Sequence, residues 1–397
     1  MKAVVIGGGI NGMFTSYYLR KEGFDVTILE KEDRGRTSIY NAGLLTPSLA
    51  PARITLSRLL STFFTKKGAL YVSPSIILRN SRWFSIAMRK GLTGYEEQLI
   101  ELGKQSLALY KEFLQGESIQ ADVINGVAAI YVDESLARRI GAEFNRPFIT
   151  GQELEVSGYT GFGGGVLFED EISIHSGKLF NSLRNILSDM QVGFVHAEAL
   201  GFDREEDHVK GIISSKGNIS GDLFVIASGA WTSNLCRKLG YDPLILPARG
   251  LVNIFYTSGK KSVSLPALLE DYGIGIAQHD ADTLRITSFF EMTGFNDSFS
   301  KARRRWLQDV IKKHLRYVDH LQLKEEGVGY RPCTPDQMPV VGKLPRLKNV
   351  YINSGQCRLG MTLAPICANL LVSMIKENKQ GPKRVDPSRF ITQSSHP

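Results

Sequence analysis

The apolar residues of this chain fall into a few short unbroken runs set between longer stretches of mixed periodicity. Ala3-Val4-Val5-Ile6 is the first run. A short apolar run bounded by turn residues suits a strand covered on both faces, as in a parallel sheet. A glycine-rich turn from Gly7 to Gly12 follows, then a helix over Met13 to Lys21 that ends near Gly23, then a second strand over Asp25 to Glu30. Two later runs have the same character. Asp222 to Ala227 reads as a buried strand that stops at Ser228-Gly229, and Asn349 to Asn353 as a strand that runs into Ser354-Gly355.

Between these runs the pattern changes. Residues 50–115 read as mostly helical, with Glu97 to Phe113 the clearest amphipathic stretch. Residues 119–170 read as short strands mixed with glycine-rich turns such as Gly161 to Gly165. Ser176 to Met190 reads as a helix, Val192 to Val225 as strands and turns, and Leu246 to Glu291 as β-rich. Lys301 to His314 reads as a basic helix and Thr362 to Lys376 as a late helix. The tail from Glu377 is polar and loose, with Phe390 as a docking contact. The strands of nucleotide-binding type thus lie at the start, near residue 225 and near residue 352, so one domain is assembled from distant pieces and a second is inserted between them.

Composition keeps the chain in the globular class. Its 397 residues are 43% hydrophobic and 22% charged, near the average for folded domains. No run reaches the ~18 apolar residues of a membrane-spanning helix, and the N-terminus leads straight into a strand with no signal-peptide pattern. The expectation is a cytoplasmic protein. Its four cysteines, Cys236, Cys333, Cys357 and Cys367, form no C-x-x-C pair, so they read as scattered reduced thiols with no metal site. The net charge of +8 is uneven: Arg34 to Tyr95 holds ten Lys or Arg and no acid. With Leu59, Leu60, Phe63, Phe64, Trp83, Phe84 and Ile86 interleaved, residues 34–95 suit either an ordinary solvated face or a peripheral contact with an anionic membrane. No nucleic-acid-binding signature accompanies the charge.

The chemistry-bearing motif is Gly7-Gly8-Gly9-Ile10-Asn11-Gly12. Gly7 makes the tight turn, Gly9 lets the backbone approach a pyrophosphate, and Gly12 lets helix and sheet pack closely. The helix N-terminus offers N–H groups to phosphates. Glu30 ends the second strand, placed to accept from ribose hydroxyls and to disfavour a 2′-phosphate. Strand, turn, helix, strand and acid together predict a dinucleotide. The late glycine-ended strands at Gly229 and Gly355 bring further backbone to the same sheet edge. A ligand contacted from residue 7 to residue 362 is long and buried, which favours FAD over an exchangeable nicotinamide.

These segments resemble the D-amino-acid oxidase (DAO) family of FAD-dependent oxidoreductases. The likeness covers nearly the whole chain, and within the family the motifs look most like those of the D-amino-acid dehydrogenase small subunit and glycine oxidase. It rests on the N-terminal fingerprint, Thr37 to Leu44, Ala227 to Trp231, Gly329 to Asp336, and Asn353 to Thr362; the last two segments are particular to this family. The resemblance implies an α/β fold, α+β in its two-domain plan. A Rossmann-like FAD-binding domain of the GR2/DAO type (1–49, 150–240 and 328–380) would carry an inserted mixed-sheet substrate domain (50–149 and 241–327), with 381–397 as a tail. Lys31, Ser38, Asn41, Ala42, Gly43 and Leu44 are expected at the cofactor, with Gly229 and Trp231. Backbone near Ala199 is expected at the adenine. Gly355, Leu359, Gly360, Met361 and Thr362 are expected to wrap the pyrimidine edge of the flavin, beside a helix whose dipole favours negative charge there.

Arg331 and Arg358 match arginines that bind a substrate carboxylate in this family. Hydride transfer from Cα to a flavin needs that carboxylate clamped so that the C–H bond faces the ring, and arginine does this bidentately. No metal is required and, if the amine arrives neutral, no strong base, because the cofactor carries the hard step. The expected reaction is oxidation of a D-amino acid, D-proline or another small apolar one, with electrons passed to a quinone or dye-type acceptor. Two alternatives stand beside it: a glycine or sarcosine oxidase releasing peroxide, and a non-catalytic FAD-binding subunit of a larger complex or oligomer. Gln356 replaces a usual histidine, and Thr287-Ser288 replaces a frequent glycine pair before Glu291. The carboxylate-binding tyrosine of glycine oxidase falls near Ile274 or Gly275, with Tyr272 nearby but not matching. Cys333 and Cys357 lie near the flavin in this scheme, though neither matches the attachment position of the sarcosine oxidase branch, so the FAD is expected to be non-covalent.

Overall fold

The structure is a computed structural model and describes residues 1–32, 36–49, 68–89 and 95–391. The apolar run Lys2–Ile6 forms the centre of a six-stranded sheet. Asp25–Glu30 and Gly193–His196 lie to one side of it, and Leu223–Ile226, Val350–Ser354 and Val340–Lys343 to the other. All pairs are parallel except the outermost, Val340–Lys343 against Val350–Ser354. Val4, Val5, Val225 and Ile352 are fully buried, as expected of a sheet covered on both faces.

One face of this sheet is covered by helices Ile10–Lys21, Tyr95–Gly116, Ser176–Asp189 and Ala364–Glu377, through Phe14, Phe113, Leu183 and Leu371. The other carries an antiparallel three-stranded sheet, Ala199–Glu205, His208–Ser214 and Gly217–Ser220. Phe390 closes that side, 7% exposed, beside an Arg389–Asp336 ion pair at 2.8 Å. The tail is therefore docked at Phe390.

A ten-stranded mixed sheet forms the second layer. Its long strands Gln322–Cys333, Leu246–Tyr256 and Thr283–Met292 are antiparallel neighbours. Gly164–Ser173 and the short Leu44–Leu45 pair at its opposite end, so the segment leading out of the cofactor turn is stitched to this sheet. Helix Lys301–His314 packs on it through Leu307, Val310 and Ile311. Glu291 is 2% exposed and held by Arg249 and Arg303, each donating at 2.7 Å.

Two helices, Glu134–Phe144 and Gly151–Val156, lie where short strands and turns were expected. The first buries only Ala137 and Gly141. Leu136 and Ile140 pack half-buried beside them and Phe144 lies edge-on to Phe168, so the helix has an apolar stripe at helical spacing that a reading as strands and turns passes over, together with the Asp133 cap on Ser135 and Leu136. The cysteine expectation is also corrected. Cys236 and Cys367 are free, but Cys333 and Cys357 form a disulfide. Leu59, Leu60, Phe63 and Phe64 lie outside the described residues. Among the described residues no helix is long and apolar enough to cross a membrane, and no cluster of His, Cys, Asp or Glu is arranged to hold a metal.

Candidate active site

The site begins where the first strand ends. Gly7 has φ +112°, and a Cβ there would lie 2.5 Å from the Ala227 carbonyl oxygen. At Gly12 a Cβ would lie 1.8 Å from the Gly7 carbonyl oxygen. Neither position admits a side chain, so the turn stays open and the helix packs directly against the strand. The helix has no side-chain cap at Gly9 and no acid in its first turn, which leaves its dipole to an incoming anion. Ile10 N–H donates to Ser38 Oγ at 2.9 Å. Glu30 accepts from Gly8 N–H at 2.6 Å and from Glu32 N–H at 2.9 Å. Asn11 donates to the Gly360 carbonyl at 3.3 Å, while its Oδ1 is buried with no partner. A buried acceptor without a donor is the mark of a ligand contact. These residues fit the pyrophosphate and ribose of FAD.

From this turn a cavity of about 810 Å³ extends to the face of the large sheet, within the size range of cofactor sites. The loop after the second strand lines it and is tied down from behind. Arg285 donates to the Ile39 carbonyl at 2.6 Å, Ser176 to the Ile39 carbonyl at 3.0 Å, and Gly43 N–H to Asn41 Oδ1 at 2.8 Å. Lys31 sits 4.5 Å above the Trp231 ring. The opposite wall is the turn after Val350–Ser354. Gly355 takes φ +86° there and Cys357 +48°. Tyr110, wholly buried, reaches across from its helix to donate to the Met361 carbonyl at 2.7 Å.

The far end carries the two arginines. Gly250 makes room for Arg331, since a Cβ there would lie 2.5 Å from Arg331 Nη1. Arg331 donates to the Phe289 carbonyl at 2.9 Å. Its remaining surface opens into the cavity that it lines. Burial, then the like charge of Arg358, pulls its pKa down to about 10. No carboxylate pairs with either arginine among the described residues, in contrast to Arg249 and Arg303 on Glu291. Two cations that repel each other in one cavity, neither paired with a carboxylate among the described residues, are an arrangement that would suit an anion.

The chain matches the family model "DAO: FAD dependent oxidoreductase" over residues 2–374. It belongs to this family of FAD-dependent oxidoreductases. It is 24% identical over 421 residues to a D-amino acid dehydrogenase of Vibrio vulnificus (strain CMCP6), covering 99% of this chain and 100% of that protein. Its fold is similar to that of glycine oxidase from Geobacillus kaustophilus, with a TM-score of 0.76 at 18% identity over 98% of this chain and 99% of that one. It is also similar to L-proline dehydrogenase from P. horikoshii, with a TM-score of 0.73 at 19% identity over 98% and 97% of the two chains.

Of the residues expected at the cofactor, Gly7, Gly9, Ile10, Asn11, Glu30, Lys31, Ser38, Asn41, Ala42 and Leu44 line the cavity. So do Ala199, Gly229, Trp231, Leu359, Gly360 and Met361, with Arg331 and Arg358. Gly12, Gly43, Gly355 and Thr362 stand behind its wall. Gly43 is there because a Cβ would lie 2.1 Å from the Ile174 carbonyl oxygen. The sequence reading did not place Phe289, Phe290 or Gly250 in the site, although all three line it. They belong to strands whose apolar alternation reads as core: Gly250 is on the strand paired with that of Arg331, and Arg331 reaches across it to the Phe289 carbonyl on the next strand. Cys333 and Cys357 line it too. With their sulfurs joined to one another, neither offers a thiol for attachment to the cofactor.

Proposed function

We propose that this protein oxidises a small apolar amino acid of the D series at its Cα–N bond. When bound, FAD supplies the hydride acceptor at the cavity. Arg331 and Arg358 hold the substrate carboxylate and so fix the Cα–H bond. Phe289 and Phe290 line the same end of the cavity and suit a short apolar side chain while excluding water. The loop Thr37 to Leu44 and the turn Gly355 to Thr362 hold the cofactor against that pocket. The observation that carries this reading is Arg331, set deep in the wall with a backbone carbonyl but no acid as its partner.

Electrons leave to a quinone or dye-type acceptor. The acid-free stretch that continues through Arg79 and Arg82 supports a membrane surface as the place of that transfer, and Leu78 there is 80% exposed. Salt-sensitive sedimentation with anionic vesicles tests the membrane part. For the reaction, FAD-loaded protein is mixed without oxygen with D-amino acids, L-amino acids and N-methyl amines. Bleaching of the flavin by D-amino acids supports the proposal. Bleaching only by glycine or sarcosine, with peroxide formed in air, selects the oxidase alternative. Bleaching by none of them makes the chain a non-catalytic FAD protein.

A further inference from the structure

Tyr272 lines the cavity from the turn after Ala267–Leu269. Its hydroxyl lies 2.7 Å from Nε2 of His314. The imidazole is wholly buried, and its Nδ1 lies 2.9 Å from the carbonyl oxygen of Thr160. A carbonyl oxygen only accepts, so Nδ1 carries the proton. In the neutral ring Nε2 is then a lone pair, and Tyr272 must be the donor. The ring is kept in this orientation. Thr160 N–H donates to the His314 carbonyl at 2.9 Å, and Phe162 lies 4.6 Å from the imidazole, centroid to centroid.

We propose that Tyr272 and His314 form a proton relay that takes the proton from the substrate ammonium before Cα is oxidised. The inference rests on the amino-acid reading above. The ammonium N–H donates to the Tyr272 oxygen. As that proton transfers, the Tyr272 proton moves to Nε2 of His314. The amine gains its lone pair, Tyr272 is a neutral phenol again, and His314 is an imidazolium that returns the proton through Tyr272 to water entering the cavity after the product leaves. Tyr272 is the catalytic residue and His314 a positioning and proton-storing one.

The surroundings admit both charge states of His314. Burial disfavours the imidazolium, and Lys313 repels it. Asp271 attracts it, and His314 is the last residue of helix Lys301–His314, where the dipole favours a cation. The remaining neighbours, Phe162, Tyr272 and, against Tyr272, Trp306, carry no charge. An uncharged, pre-oriented base with weakly opposed fields is suited to hold a proton briefly.

The test compares wild type with Tyr272→Phe and His314→Gln, each first checked for bound FAD by its visible spectrum. At neutral pH both variants are expected to lose about a hundredfold or more in kcat/KM. The loss should fade as pH rises past the pKa of the substrate amine, where the amine arrives already neutral. The Kd of an unreactive carboxylate ligand should stay unchanged, because the arginines bind it. In wild type, nitrogen-15 NMR of labelled histidine should show the Nδ1–H tautomer at His314, assigned by its loss in His314→Gln. A uniform loss at all pH values, with a weakened carboxylate Kd, would mean that Tyr272 only shapes the wall, and would overturn the relay. An Nε2–H tautomer would overturn it as well. Wild type that oxidises no amine removes the amino-acid reading and the relay with it, whereas active wild type indifferent to both substitutions removes the relay alone.

Discussion

Replacing Arg331 by methionine separates a substrate-binding arginine from a structural one. The guanidinium is drawn down from 12.5 to about 10, mainly by burial and then by Arg358. At ~1.4 kcal/mol per unit that is a cost on the order of 3 kcal/mol to the folded protein near neutral pH. Water in the cavity screens part of it, leaving roughly 1–2 kcal/mol. The hydrogen bond to the Phe289 carbonyl offsets about 1 kcal/mol. Arg331→Met therefore exchanges two small opposing effects and leaves the Tm of the substrate-free enzyme nearly unchanged. Its effect on turnover is large. Two charge-assisted hydrogen bonds to a carboxylate are worth about 3–5 kcal/mol, which corresponds to a loss of about 10²–10⁴ in kcat/KM. Differential scanning calorimetry and anaerobic flavin reduction read the two quantities on the same samples. Loss of a paired buried arginine would instead cost roughly 3–5 kcal/mol of stability. A Tm that drops by that equivalent, with reduction kinetics unchanged, refutes the reasoning.

Three further outcomes follow from the same geometry. Gly12→Ala should yield colourless protein, because the added methyl displaces the Gly7 turn; a yellow variant with normal FAD content would contradict this. Reducing the Cys333–Cys357 disulfide, or replacing both by serine, frees a loop spanning 24 residues. It should cost about 3 kcal/mol and weaken carboxylate binding, since the bond ties the strand of Arg331 to the turn of Arg358; unchanged Tm and ligand affinity would show that the bond holds neither. Burial pushes the Glu171 pKa up to about 7 from 4.5. The folded state thus favours the protonated acid, and this contribution is complete below about pH 4.5 and lost as pH rises through about 7. Glu171→Gln should remove that fall in Tm, and a wild-type Tm that rises relative to the variant across the window would reverse the assignment.

The cofactor half of the molecule was legible because its constraints are local. Gly7, Gly12 and Glu30 act within one strand–turn–helix–strand unit, and their chemistry follows from spacing alone. Helix Lys301–His314 was legible from its charge and period, and its bounds match the expected ones. The substrate end was less so, because its geometry comes from register between distant strands. Nothing near Gly250 in the sequence announces that its missing side chain houses a guanidinium from residue 331. The disulfide was hidden for the same reason: only the meeting of a strand end with a turn brings the Cys333 and Cys357 Cα atoms to 4.3 Å. Tyr272 was noticed as a neighbour of the expected tyrosine position, but its partner His314 lies 42 residues away, at the end of a helix that reads as a plain basic surface.

The central claim is that Arg331 and Arg358 share a substrate carboxylate in front of the flavin. A crystal structure of the FAD-loaded protein with an unreactive carboxylate analogue tests it most directly. The account predicts carboxylate oxygens at about 2.7–2.9 Å from both guanidinium groups, at the Phe289–Phe290 end of the cavity. A ligand bound elsewhere, with both arginines turned onto protein acids, would contradict it.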